Sequence, residues 1–166
     1  LTVIATASRT RSQEWVREMG AHYVIDHSQP LAPQIEALGV GQPEFVFSTT
    51  HTEDYITDIA ELIAPQGRLA LIDDPEVFDI TPFKAKSVSV HWELMFTRSL
   101  YGTADKAMQH GLLNEVSRLV DAGKIRSTVT KVLSPINASN LRNAHALLES
   151  NRMLGKLVVV GWQSED

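Results

Sequence analysis

Short runs of Val, Ile, Leu and Phe, each followed by a stretch of helical periodicity, constrain this chain more than any other feature. The runs are Thr2–Ala7, Tyr23–Asp26, Glu44–Ser48, Arg68–Asp73 and Ser87–Leu94. Strands that are apolar at consecutive positions are buried on both faces, and a parallel sheet with helices on either side provides that burial. The pattern therefore predicts a doubly wound α/β fold. Thr10, with Gln13 three residues on, has the spacing of a capping box and opens a helix that packs Trp15, Val16 and Met19 before Gly20 stops it. A short helix over Gln34–Leu38 follows Pro33 and ends at Gly39. A longer one over Glu53–Ala64 buries Ile56, Ile59, Ala60 and Ile63. The longest, about Thr103–Ala122, places Ala104, Met108, Leu112, Val116, Leu119 and Val120 on one face. Beyond Gly123 the texture changes to a strand over Thr128–Ser134, an N-cap at Asn137 and a helix turning Leu141, Ala144 and Leu148 inward. A strand within Gly155–Trp162 and a polar tail over Gln163–Asp166 close the chain.

Composition narrows the function classes. The 166 residues suffice for one domain and part of a second. A net charge of -5 with no basic stripe argues against nucleic acid as a partner. No apolar run approaches the roughly 20 residues that span a bilayer, so no membrane role is expected. Cysteine is absent, which excludes disulfides and thiolate metal sites and makes the cytoplasm the expected compartment.

Little in the chain carries chemistry by spacing alone. The strand end at Ala7 runs into Ser8 and Arg9, a hydroxyl and a cation. In a dinucleotide-binding fold an acid at such a position selects NAD, whereas an arginine accommodates the 2′-phosphate of NADP. A solvated cation at the start of a loop is the simpler account on spacing alone. No G-x-G-x-x-G occurs; the glycine pair in "GVGQPE" precedes a strand and reads as a loop. Asp73, Asp74 and Glu76 stand around a proline, the composition of a solvated turn. His22 and His27 straddle a strand at odd spacing and point to opposite faces, so no metal site is expected.

Four segments in order carry a resemblance: "VIATASR…EWVREMGAHYVIDH", "ELIAPQGRLALIDDPE", "HWELMFTRSL" and "LNEVSRLVDAGKIRSTVTKVLSPIN". Together the chain resembles the zinc-type alcohol dehydrogenase-like branch of the medium-chain dehydrogenase/reductase superfamily, close to the quinone oxidoreductases, over essentially its whole length. The resemblance implies a Rossmann-like sheet in residues 1–124 that lacks the first βα unit with its glycine-rich turn. Residues 125–166 would then be a C-terminal piece of the catalytic domain. It implies NADP(H) as cofactor and hydride transfer to a carbonyl or an activated alkene or quinone, with a small-molecule substrate and a homo-oligomeric assembly. Ser8 and Arg9 correspond to a 2′-phosphate clamp, and Thr49, Thr50 and His51 to the adenosine side of the cofactor. Asp73 and Asp74 correspond to the same edge one strand on, Phe96 and Thr97 to the nicotinamide amide, and Arg152 and Lys156 to the phosphates. The resemblance assigns no catalytic residue and no metal. A non-catalytic NADP(H)-binding module, or a purely structural piece, is the alternative.

The order 3-2-1-4-5-6 of such a sheet makes its first strand central. With Thr2–Ala7 second and Glu44–Ser48 fourth, the two flank an open position roughly 10 Å wide, twice the pairing distance. Unsatisfied backbone groups there cost on the order of 1–3 kcal/mol each. The strands are therefore expected to pair directly, to exchange with a second copy, or to receive upstream residues. The strands at Thr128–Ser134 and Leu157–Val160 are expected to seek intermolecular partners for the same reason. Pyrophosphate binding depends on backbone N–H groups after a glycine turn, so this stretch alone is expected to be inactive and to bind cofactor poorly. Isothermal titration of NADPH into the 166-residue chain tests that directly; micromolar affinity would contradict it.

Overall fold

The computed structural model describes residues 1–150 and 152–162; the polar tail read at Gln163–Asp166 lies outside the described residues. The chain forms two compact units, residues 1–101 and 102–166. The sequence reading divides the domains at 124–125 instead.

The first unit is α/β with every strand pair parallel. Its elements are β1 (Ile4–Thr6), α1 (Thr10–Glu18), β2 (Tyr23–Ile25), α2 (Leu31–Leu38), β3 (Phe45–Ser48), α3 (Thr52–Leu62) and β4 (Arg68–Leu71). A 3-10 turn over Thr81–Lys86, β5 (Ser89–Trp92) and the short α4 (Thr97–Leu100) complete it. β1 pairs with β2, and separately β3, β4 and β5 pair in that order. Direct pairing of β1 with β3, one of the expected ways of closing the sheet, does not occur; among the described residues each keeps one unpaired edge.

Local chemistry explains where the helices begin. The hydroxyl of Ser12, not Thr10, makes the reciprocal contact at the start of α1: it accepts from the Arg9 amide at 3.2 Å and donates to the Arg9 carbonyl at 2.8 Å. Gln13 reaches further back, its Nε2 donating to the Ala7 carbonyl at 3.0 Å. α2 starts three residues before the expected Gln34, because Pro33 falls in its first turn, where the missing N–H has no helical partner to lose. Gln34 then ties α2 to the end of β2, accepting from the Asp26 amide at 2.8 Å and donating to the Asp26 carbonyl at 2.9 Å.

The pleat sorts the strand residues. Val46, Leu69 and Val90 lie side by side in register, as do Ser48, Leu71 and Trp92. Leu69 and Leu71 are fully buried and join Ile25, Leu31, Ile35, Ile59, Leu62, Ile63 and Phe83 in the core. Burying each of the larger side chains contributes roughly 1.5–3 kcal/mol. Phe45 and Phe47 occupy the alternate positions and remain 59% and 63% exposed, with the Arg68 guanidinium 5.5 Å from the Phe45 ring centroid. β3 is thus covered on one face only.

In the second unit α5 (Met108–Asp121) is shorter than expected and none of its residues is buried. The stripe of Met108, Leu112, Val116 and Val120 exists as read, but it is exposed. β6 (Val129–Leu133) pairs in parallel with β7 (Lys156–Val159), and among the described residues each keeps one unpaired edge. Between them α6 (Ala138–Glu149) is capped by Asn137, whose side chain accepts from the Asn140 amide at 2.8 Å. Of its predicted inward residues only Ala144 is buried; Leu141 and Leu148 are exposed.

One close approach fixes how α3 returns to the sheet. Gly67 is buried between strand and helix, and a Cβ there would lie 2.7 Å from Cγ1 of Ile63 and 2.8 Å from the Ala64 carbonyl oxygen. The Lys86 ammonium closes the same end of α3, donating to the carbonyls of Glu61 at 2.6 Å and Ile63 at 2.7 Å. Gly67→Ala is expected to destabilise the first unit by about 1–3 kcal/mol, the cost of overpacking a filled site. Urea unfolding measures it, and a wild-type midpoint would show that the turn relaxes freely.

Candidate functional site

The residues singled out from sequence in the first unit all follow the carboxyl ends of parallel strands, where open α/β sheets bind their ligands. Ser8 is half-buried and Arg9 exposed beyond β1, with Arg9 as the N-cap residue of α1. The first turn of α1 contains no acid. Among the described residues no ion pair engages the Arg9 guanidinium. The acid nearest in sequence at a strand end, Asp26 after β2, is committed locally. It accepts from the Ser28 hydroxyl at 2.7 Å and the Ser28 amide at 2.8 Å, and these bonds hold its carboxyl below the ordinary aspartate range.

The ends of β3 and β4 are joined by a partly buried network. Thr52, the first residue of α3, is fully buried. Its amide donates to Oδ2 of Asp73 at 2.7 Å and its hydroxyl to Oδ1 at 2.5 Å. Because the carboxylate only accepts, the Thr52 proton points to Asp73, and the Ser48 hydroxyl, 2.7 Å from that of Thr52, is the donor in the remaining bond. Desolvation, the largest single effect, raises the pKa of Asp73, but the two bonds from Thr52, with the Asp73 backbone and the charge of His51, together outweigh it and the carboxyl sits below its ordinary value. Asp73 thus supplies from 21 residues away the cap that α3 lacks locally, at the helix end where negative charge is favoured.

His51 precedes α3 in the left-handed conformation, φ 52°, and is exposed together with Thr49 and Thr50. Asp74 is exposed next to Asp73. Phe96 and Thr97 lie four and five residues past the end of β5, Phe96 as the exposed N-cap of α4. Arg152 and Lys156 belong to the second unit, both exposed, Lys156 as the first residue of β7. The structure therefore brings together His51 and Asp73 through Thr52, and no hydrogen bond or ion pair among the described residues links Arg9 to them. Ser48 and Thr52 escaped the sequence reading. The signal available was "STTHTED", a hydroxyl ending a strand and a second one opening a helix whose first turn holds Glu53 and Asp54.

Comparison with known proteins adds a family to this geometry. A family model described as zinc-binding dehydrogenase matches residues 19–159. The zinc-type alcohol dehydrogenase-like protein SAS2087 of Staphylococcus aureus (strain MSSA476) is 35% identical over 160 residues, which cover 96% of this chain and 48% of that protein. A protein of the same description from Staphylococcus epidermidis (strain ATCC 12228 / FDA PCI 1200) is 34% identical with the same coverage. The chain thus spans about half the length of the curated relatives it matches. Among solved structures, a candidate zinc-dependent alcohol dehydrogenase from Rhizobium etli CFN 42 is 62% identical, with a TM-score of 0.95 over 99% of this chain and 48% of that one. An NAD-dependent alcohol dehydrogenase shares the fold at 23% identity, TM-score 0.75, over 95% of this chain and 43% of its own. The chain has no cysteine, and no group of three or more His, Asp or Glu among the described residues could hold a metal ion.

The Asp73 network has a pH signature. A carboxyl whose folded-state pKa is depressed adds stability above its unfolded value, near about 3.9, and loses it as pH falls through the folded value. The stability difference between wild type and Asp73→Ala is therefore expected to be full at pH 7 and to shrink only below the ordinary aspartate range. Thr52→Val, which removes the buried hydroxyl, is expected to cost about 1–3 kcal/mol in urea unfolding, with Thr52→Ser losing less. Wild-type stability in Thr52→Val would show that the network carries no weight.

Proposed function

Because this chain belongs to the zinc-binding dehydrogenase family, we propose that it forms the cofactor-facing part of an NADPH-dependent oxidoreductase, transferring hydride to a carbonyl or an activated alkene or quinone. The observation that carries the choice of NADPH is Arg9, an exposed cation at the carboxyl end of β1 with no acid in the helical turn that follows. A planar guanidinium pairs with a phosphate through two donors at once, and the Ser8 hydroxyl adds a third. An NAD enzyme presents a carboxylate to the ribose hydroxyls instead. Asp26 stands one strand over, at the end of β2, and its Oδ1 accepts both bonds from Ser28.

The remaining assignments follow the resemblance. Thr49, Thr50 and His51 offer two hydroxyls and an imidazole to the adenosine side, beside Asp73 and Asp74. The backbone at Phe96 and Thr97 would orient the nicotinamide amide, and Arg152 and Lys156 would contribute charge toward the phosphates. Bound nicotinamide supplies the hydride chemistry; the protein's part is to hold the ring and exclude water. The same reading makes the substrate a small molecule and the assembly a homo-oligomer of the cytoplasm. It is compatible with the net charge of -5 and with the finding that no helix among the described residues is long and apolar enough to cross a membrane.

Arg9→Ala in the full-length protein is expected to weaken NADPH binding by about 1.5–3 kcal/mol, the range for a hydrogen bond to a charged group, and to leave NADH nearly unchanged. Fluorescence titration with both nucleotides checks this. Equal losses for the two would remove the clamp.

A further inference from the structure

We propose that Asp73 is a positioning residue: it locks the turn Thr49–His51 to the end of β4, so that two adjacent loops meet the ligand as one rigid surface. The ligand in this statement rests on the cofactor reading above; the lock itself does not.

The turn is closed at its base and pinned there. Its three exposed residues are bracketed by Ser48 and Thr52, whose hydroxyls are 2.7 Å apart. Thr52 is fully buried, and both its amide and its hydroxyl go to Asp73. Asp73 stands two residues past Leu71, the β4 residue in register with Ser48, so the carboxylate reaches sideways from one strand's exit to its neighbour's. The backbone bond from the Ile72 amide to the Ser48 carbonyl, 3.3 Å, runs beside it.

The chain needs such a tie at this point. α3 has no side-chain cap of its own, and His51 enters it with φ 52°, a conformation that costs an L-residue energy and persists only where its surroundings hold it. With each carboxylate oxygen already accepting from Thr52, the role of Asp73 is to hold the turn. Thr49, Thr50 and His51 remain free to meet the ligand.

The test combines residue-resolved amide hydrogen exchange with NADPH and NADH titration in the full-length protein, wild type and Asp73→Asn. An amide can replace only one of the two acceptors. Exchange at the bonded amides of Thr52 and Asp54 is expected to rise roughly tenfold, the scale of a lost cap, while the amides of Leu69 and Leu71 keep their protection. Both nucleotides are expected to weaken by similar factors, because the ligand surface loosens as a whole. Weaker binding with unchanged exchange would make Asp73 a direct ligand contact and overturn the proposal. So would faster exchange with unchanged binding. A wild-type protein that binds neither nucleotide would defeat the cofactor reading, and exchange alone would then decide the lock. Should Asp73→Asn not fold, Thr52→Val removes the hydroxyl half of the tie to Asp73 and leaves the carboxylate in place. It is read in the same way, with faster exchange and weaker binding supporting the lock and neither one overturning it.

Discussion

A parallel strand satisfies its backbone only through its neighbours, and that rule governs this chain. β4 is paired on both edges, its Leu69 and Leu71 are fully buried, and helices and turns of the first unit pack around it. β1 and β3 each pair on one side. The β3-β4-β5 sheet is the part of the unit with a strand bonded on both edges. The β1-β2 pair joins it through side chains such as Ile4 and Ile25 in the shared core, without ladder bonds to β3.

Charge is distributed unevenly along the strand ends. Beyond β1 stand Arg9 and Arg11, with no acid in the turn. Beyond β4 stand Asp73 and Asp74, with Glu53 and Asp54 in the first turn of the adjoining α3. A phosphate is favoured at the first location and disfavoured at the second. The acids of the second location are not alike. Asp73 is spent on holding Thr52, and Asp74 is exposed.

The fold was legible where side-chain periodicity and burial coincide. Strand positions from Ile4 to Trp92 could be read because Val, Ile and Leu crowd them, and Asn137 could be read as a cap because its amide oxygen reaches the third residue of α6. The stripe on α5 was equally clear, yet it is exposed, since periodicity reports which face could be buried and not what lies against it. The start of α2 was misjudged because proline reads as a breaker, although the first turn tolerates it. The partly buried network was the least legible part of the site. Ser48, Thr52 and Asp73 become neighbours only through the β3-β4 register, and no spacing within the sequence encodes a contact across 21 residues.

The pleat that exposes Phe45 and Phe47 also decides which way Ser48 points. A single-residue slip of β3 against β4 would carry the phenylalanines toward the core and turn the Ser48 hydroxyl away from Thr52. Change in the length of this chain is therefore constrained unevenly over evolutionary time. The loop Gly39–Pro43 before β3 can grow or shrink while the pairing of Phe45 with Arg68 holds. An insertion between Phe45 and Ser48 cannot be absorbed in that way, because the strand's solubility, its packing and the shape of its exit are set by the same alternation.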